Sequence, residues 1–141
     1  MKYFVVALIS VVFFIGISQG ATPALKCREE SKTKGLKESC TLHCQYKAYG
    51  FVNDKYEIKR KHRNKLAEFL INGNAVDSDN RNKLDNLLKK CVKEALEKYE
   101  DEDPSCYITF YYYICINKDR EIIDHSNFIL AITALDKTFD I

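Results

Sequence analysis

The sequence predicts an all-α, disulfide-braced domain on three observations. Apolar residues recur at helical spacing through most of the chain, and no strand-like alternation persists anywhere. All six cysteines, at 27, 40, 44, 91, 106 and 115, lie beyond a leader with the features of a secretory signal. The stretch 104–116, Pro-Ser-Cys-Tyr-Ile-Thr-Phe-Tyr-Tyr-Tyr-Ile-Cys-Ile, is apolar or aromatic nearly all round. A helix of that composition has to be buried, and its thirteen residues are too few to span a bilayer. It is expected at the centre of the fold, with Asp103 as its cap and Pro104 at its first position, where a missing N–H costs least.

The leader comes first. Lys2 supplies a positive start, Tyr3 to Ile17 is an uncharged apolar run, and Ser18-Gln19-Gly20 offers small residues at the last and third-last positions before a cut. Residues 1–20 are therefore expected to be a cleaved signal peptide and residues 21–141 a single secreted domain. A retained anchor would need a longer apolar run or a basic stop-transfer flank. An even cysteine count in an oxidising compartment implies three disulfides, not thiol chemistry or zinc.

Along the mature chain, residues 21–25 read as a short leader containing Pro23, and Lys26 to Lys37 as a lysine-rich segment interrupted by Gly35. The next element carries Cys40-Thr-Leu-His-Cys44 and stops at Gly50. Asn53 and Asp54 mark a turn, and the Asp54/Glu57 spacing predicts a capping box for a helix reaching about Ile71, with Ile58, Leu66, Phe69 and Leu70 on its apolar face. Asn72-Gly73-Asn74 ends it. A longer helix starts at Asp77 or Ser78 and runs to about Glu100, carrying the stripe Leu84, Leu87, Leu88, Cys91, Ala95 and Tyr99. After the buried helix, Asn117-Lys118-Asp119 reads as a turn, and a last helix is expected from about Ser126 to Lys137.

Spacing constrains the disulfides only in part. Cys106 and Cys115 fall on opposite sides of one helix, roughly 13 Å apart along its axis, beyond the roughly 7 Å Cα limit for a bridge. Cys40 and Cys44 lie within one helical turn, which disfavours their pairing. Of the 15 pairings open to six cysteines, about ten survive.

The pattern of one cysteine, Cys40-x3-Cys44, a lone Cys91 and Cys106-x8-Cys115 resembles the insect odorant-binding protein framework. The interval from Cys27 to Cys40 is shorter than in typical olfactory members. Three further segments are similar to the small odorant-binding-like salivary proteins of blood-feeding sand flies. They are the leader's Met-Lys-Tyr, the Cys40-x3-Cys-x-Tyr-Lys-x-Tyr-Gly-Phe51 run, and Ala75-Val-Asp with the following Lys83-Leu-Asp. This resemblance, which covers nearly the whole chain, implies an odorant-binding-protein-like helical domain with the disulfides Cys27–Cys44, Cys40–Cys106 and Cys91–Cys115. It also implies a salivary role in blood feeding.

Charge supplies the functional lead. The formal net charge is only +2, yet residues 26–65 carry +7 and residues 66–141 carry −6, with Lys2 of the leader supplying the other +1. The densest run is Lys59-Arg60-Lys61-His62-Arg63-Asn64-Lys65, with Lys55 one turn earlier. Packed like charges repel, and a polyanion relieves them. Arg grips sulfate or phosphate in a bidentate way and Lys adds point charge. Lys26, Lys32, Lys34, Lys37 and Lys47 join the patch if their segments lie nearby. The structural alternative is a solvated face.

Other candidates are weighed against packing. His62 falls on the apolar side of its helix. His43 lies inside the Cys40–Cys44 turn, but no Asp follows it and no glycine-rich calcium loop precedes it, so a secreted phospholipase is excluded on local grounds. His125 is isolated in the tail. Tyr107, Phe110, Tyr111, Tyr112 and Tyr113 either pack the core or line a pocket for an apolar or amine ligand.

No nucleophile, base and orienting group can be assembled, so no enzyme, metal or cofactor is expected. The expected partners are anionic polysaccharides, polyphosphate or anionic surfaces bound through Lys55, Lys59, Arg60, Lys61, Arg63 and Lys65. By resemblance, the consequence is inhibition of contact-pathway coagulation, with clotting factors affected indirectly. Neither specific nucleic acid nor membrane insertion is expected. The alternative is a carrier for a small apolar or amine ligand.

Overall fold

The computed structural model of the chain describes residues 21–99 and 105–139. The expected signal segment 1–20, and the expected cap and first position at Asp103 and Pro104, lie outside the described residues. The described residues form six α-helices and no strand: α1 (Pro23–Lys34), α2 (Glu38–Tyr49), α3 (Arg60–Asn72), α4 (Arg81–Lys98), α5 (Cys106–Lys118) and α6 (His125–Thr138). A single 3₁₀ turn, Ser78–Asn80, leads into α4.

The apolar segment becomes α5, which packs against α2 on one side and α4 on the other, while α1 lies on α2, and α3 packs on α4 and α6. Its start is set by Ser105, whose hydroxyl accepts from Tyr107 N–H. Cys106, Ile108, Thr109, Tyr112 and Ile116 are buried. The burial is not complete all round: Tyr107 and Tyr111 stay half-buried on an outer flank. There Tyr99 stacks on Tyr107 at 5.7 Å between ring centroids, and Lys98 Nζ sits 4.4 Å over the Tyr111 ring. Aromatic rings tolerate such half-wet positions because their faces attract cations.

Three disulfides brace this arrangement: Cys27–Cys44 ties α1 to α2, Cys40–Cys106 ties α2 to α5, and Cys91–Cys115 ties α4 to α5. The pairing implied by the resemblance is the pairing present. The core fills the space between helices with Tyr46, Tyr49, Phe51, Leu66, Leu70, Leu84, Leu88, Tyr112, Ile116 and Phe128.

Element boundaries depart from the sequence expectation in five places. The long helix expected from Asp77 or Ser78 opens as the 3₁₀ turn and becomes α-helical only at Arg81. Pro23 does not sit in a leader; it is the first residue of α1, capped by Thr22. The Asp54/Glu57 capping box does not form, and α3 begins only at Arg60. The reason lies in Asn53, whose side-chain oxygen accepts from the N–H groups of Lys55 and Glu57 and closes residues 53–57 into a loop. That turn uses the backbone donors a helix would have needed. The expected turn at 117–119 is the last turn of α5, with the reversal following at Asp119, whose carboxylate accepts from Glu121 and Ile122 N–H. The last helix starts at His125, one residue early, because Asp124 caps it.

A buried carboxylate ties the two chain ends together. Asp136 of α6 accepts from the Tyr49 hydroxyl at 2.7 Å and from Ala24 N–H at 2.8 Å. Burial alone would raise this carboxyl, but the bonds from Tyr49, Thr22 and Ala24 outweigh it and hold the group below the usual carboxylate range. Asp136 thus serves as a cap for α1 supplied from 112 residues away.

The contact between α3 and α6 turns on Gly73. Its backbone is not left-handed; φ > 0 is taken instead by Asn74, at 57°. What Gly73 provides is closeness, since a methyl group there would fall 2.6 Å from Ala131 Cβ. Gly73→Ala is therefore expected to destabilise the fold by about 1–3 kcal/mol through forced separation of α6. The urea midpoint measures it, and an unchanged midpoint would show that α6 yields freely.

Candidate functional site

The basic run is built around the start of α3. Residues 51–59 form the irregular lead-in, with Phe51, Val52 and Ile58 buried as anchors. Tyr56 adopts φ 63°, an uncommon conformation for an aromatic residue, with its ring centroid 4.5 Å from that of His43. Lys59 is the N-cap residue of α3, and the cap is completed by His62, whose Nδ1 accepts from Lys59 N–H at 2.9 Å. His62 must be neutral to accept there. Burial, then Lys61 and Lys59, lower its pKa and keep it so.

This places cations where a helix tolerates them least. Lys59, Arg60, Lys61 and Arg63 occupy the cap and first turn, and no acidic residue shares that turn. The aligned peptide dipoles put partial positive charge at the same end. Lys55, Lys59, Arg60, Lys61 and Lys65 are exposed and Arg63 is half-buried. No salt bridge joins any of the six to a carboxylate among the described residues.

The six do not all point one way. Arg60 and Arg63, with Asn64, face Asp85 and Lys89 of α4 across a cleft of about 270 Å³. Arg63 Nη1 also donates to the Ile58 carbonyl. Lys55 and Lys59 border an apolar pocket of about 320 Å³ walled by Tyr56, Ile58, Val92, Leu96 and Ile108. Lys65 folds back over Gly50, and a methyl at Gly50 would lie 2.6 Å from its Nζ. Gly50 is the left-handed C-cap of α2, so the Lys65 charge sits at the negative end of that helix. Of the extension residues, Lys34 pairs with Glu30 at 2.8 Å, and Lys37 donates to the Tyr107 hydroxyl at 2.8 Å.

The aromatic candidates separate as well. Tyr112 is buried in the core, its hydroxyl without a hydrogen-bond partner. Tyr113 packs on Tyr46 and Phe128, while Tyr107 and Tyr111 lie on the outer flank with Tyr99. The apolar pocket meets α5 only at Ile108. His125 Nδ1 lies 3.1 Å from Asn117 Oδ1.

Comparison with known proteins adds the lineage. The chain is 33% identical over 143 residues to salivary protein 15a of Phlebotomus duboscqi, covering all of both chains. It is 32% identical to salivary protein 15b of the same species, again over both full lengths. It is also 32% identical to Ayaconin of Lutzomyia ayacuchensis, over 96% of this chain and 92% of that one. The chain belongs to this family of sand fly salivary proteins. No family model matches it. Secretion into saliva follows for this family member, and among the described residues no helix is long and apolar enough to cross a membrane.

Two features of this salivary protein escaped sequence reasoning. Lys89 and Asp85 share the polar face of α4, but their placement opposite Arg60 and Arg63 depends on the α3–α4 crossing, which no local pattern encodes. The second is His43, buried with its Nδ1 2.8 Å from Thr109 Oγ1. Burial pushes its pKa down to about 4, helped by Lys47 and opposed by Asp54.

The folded imidazole therefore resists a proton that the unfolded chain accepts near pH 6.5. Stability is fully present above that value and falls as pH drops from 6.5 towards 4, by on the order of 3 kcal/mol. Urea titrations at pH 7.5, 6 and 4.5 measure the slope, and His43→Gln is expected to flatten most of it. A variant with the parent's slope would place the titration elsewhere.

Proposed function

We propose that this salivary protein is a non-catalytic binder of anionic polymers and surfaces, of the odorant-binding type, acting through the start of α3. Capture of the negatively charged surfaces on which contact-pathway clotting factors assemble makes it an anticoagulant. The observation that carries this reading is the cationic first turn of α3, which holds no salt bridge among the described residues, although Glu57 lies within electrostatic reach of Lys59. Four like charges stand at the positive end of a helix dipole with no carboxylate in salt-bridge range among the described residues. Such an arrangement is unfavourable in isolation, and a sulfated or phosphorylated chain relieves it. The odorant-binding relation is supported by the Cys-x3-Cys and Cys-x8-Cys framework on an all-helical body.

A second reading, a carrier for a small apolar or amine ligand, is favoured by one feature. The apolar pocket beneath Lys55 and Lys59 leaves Leu96 half exposed. Such a carrier binds stoichiometrically and almost independently of salt, whereas polyanion capture releases counterions and weakens steeply with salt.

Replacing Lys59, Arg60, Lys61, Arg63 and Lys65 with Gln is expected to abolish retention on a heparin column at physiological salt. It is also expected to remove any prolongation of surface-activated clotting. For the parent chain, the logarithm of affinity should fall with the logarithm of salt at a slope of about −3 to −5. Unchanged retention of the variant would refute the reading.

A further inference from the structure

We propose that α3 and α4 together form a discrete site for one tetrahedral oxyanion, a sulfate or phosphate group carried on a chain. This rests on the polyanion reading and deepens it, replacing a diffuse positive face with one seat that positions the polymer. Arg60, Arg63 and Asn64 form one wall and Asp85 and Lys89 the other. Three cationic side chains thus face a single carboxylate, and that carboxylate is already engaged, its Oδ1 accepting from Arg81 Nε at 3.0 Å.

Lys89 stands apart from its neighbours on α4. Lys90 and Lys93 each have a glutamate one turn on, Glu94 and Glu97, at 3.9 Å. One turn on from Lys89 is Lys93, and one turn back is Asp85, which Arg81 holds. None of Arg60, Arg63 and Lys89 has a salt bridge to a described carboxylate, so the charge in the cleft is left for a ligand. Arg63 is already oriented by the Ile58 carbonyl, and its remaining N–H groups keep the planar fork that suits sulfate or phosphate. Asn64 adds an uncharged donor.

Size selects the unit. The cleft's roughly 270 Å³ lies just under the roughly 300–1,000 Å³ of ordinary small-molecule pockets, which fits one charged group and the atoms that bear it. Neighbouring units of the polymer then meet Lys59 and Lys61, which do not line the cleft.

Isothermal titration of the secreted chain with tripolyphosphate and with a sulfated pentasaccharide tests the site, beside heparin-column retention. Saturable one-to-one binding of either probe is expected. It should be weakened about tenfold by Arg63→Gln and by Lys89→Gln, but less than about twofold by Lys61→Gln. Lys89 is exposed and holds no salt bridge to a described carboxylate, so its variant keeps the test independent of folding. Preference for one probe identifies the source of the oxyanion. Heparin retention without saturable binding of either probe would overturn the site and leave the polyanion reading standing, as would equal weakening by all three variants. A parent chain that neither stays on heparin nor binds a short probe overturns both.

Discussion

Cys106 and Cys115 lie nine residues apart on α5 and bond to α2 and α4 respectively, so the central helix can neither rotate nor slide without straining one of them. That double attachment sets the geometry of everything else. The Cys40–Cys106 bridge closes a 66-residue separation, the longest of the three, and so removes the most freedom from the unfolded chain. On chain-entropy arithmetic each bridge contributes about 3–4 kcal/mol, although loops that share residues do not add. A domain of this size gains much from such cross-links, because its core alone is modest. Leu84 and Leu88 of α4 and Tyr112 and Ile116 of α5 are packed into that core, and α3 then packs on α4.

Legibility of the fold in the sequence followed the range of the interactions involved. Helices carrying a continuous apolar stripe, such as α4, were readable because a 3.6-residue period is a local property. Gly50 as a stop was readable because only a left-handed residue fits there, and its φ is 84°. The start of α3 was not. Asp54 and Glu57 have capping-box spacing, but Asn53 takes the backbone donors first and His62, nine residues after Asn53, completes the cap. Two local signals competed, and the one with a turn already closed prevailed. Asp136 was invisible for a different reason: its partners Tyr49 and Ala24 lie 87 and 112 residues away, and no local pattern links them.

The candidate site was legible as charge but not as shape. The run from Lys59 to Lys65 is unmistakable in composition, yet only the fold distributes it. Arg60 and Arg63 turn toward α4, Lys55 and Lys59 toward the apolar pocket, and Lys65 toward the end of α2. Each destination is set by a neighbouring element, so a linear reading treats as one patch what the structure divides into three. The division has an electrostatic logic. Lys65 satisfies a helix C-terminus and is partly spent there, whereas the first-turn cations oppose their own helix dipole.

An unfavourable helix start persists in a folded chain only if something else holds the helix. Here α3 has Leu66, Ala67 and Leu70 buried against the body, and burial of side chains of that size contributes on the order of 1.5–3 kcal/mol for each leucine. Repulsion among exposed cations is a few tenths of a kcal/mol per pair in water and is screened further by salt. The apolar face therefore exceeds the strain by a wide margin, and the cations need not be neutralised for the helix to form. On the proposed reading, cations carried on a packed helix would meet a polymer with less backbone ordering to do than a disordered lysine run would. The bracing of α5 by α2 and α4, remote from the basic turn, is in this way part of the same device: it holds α4, α4 holds α3, and α3 presents charge in a fixed register.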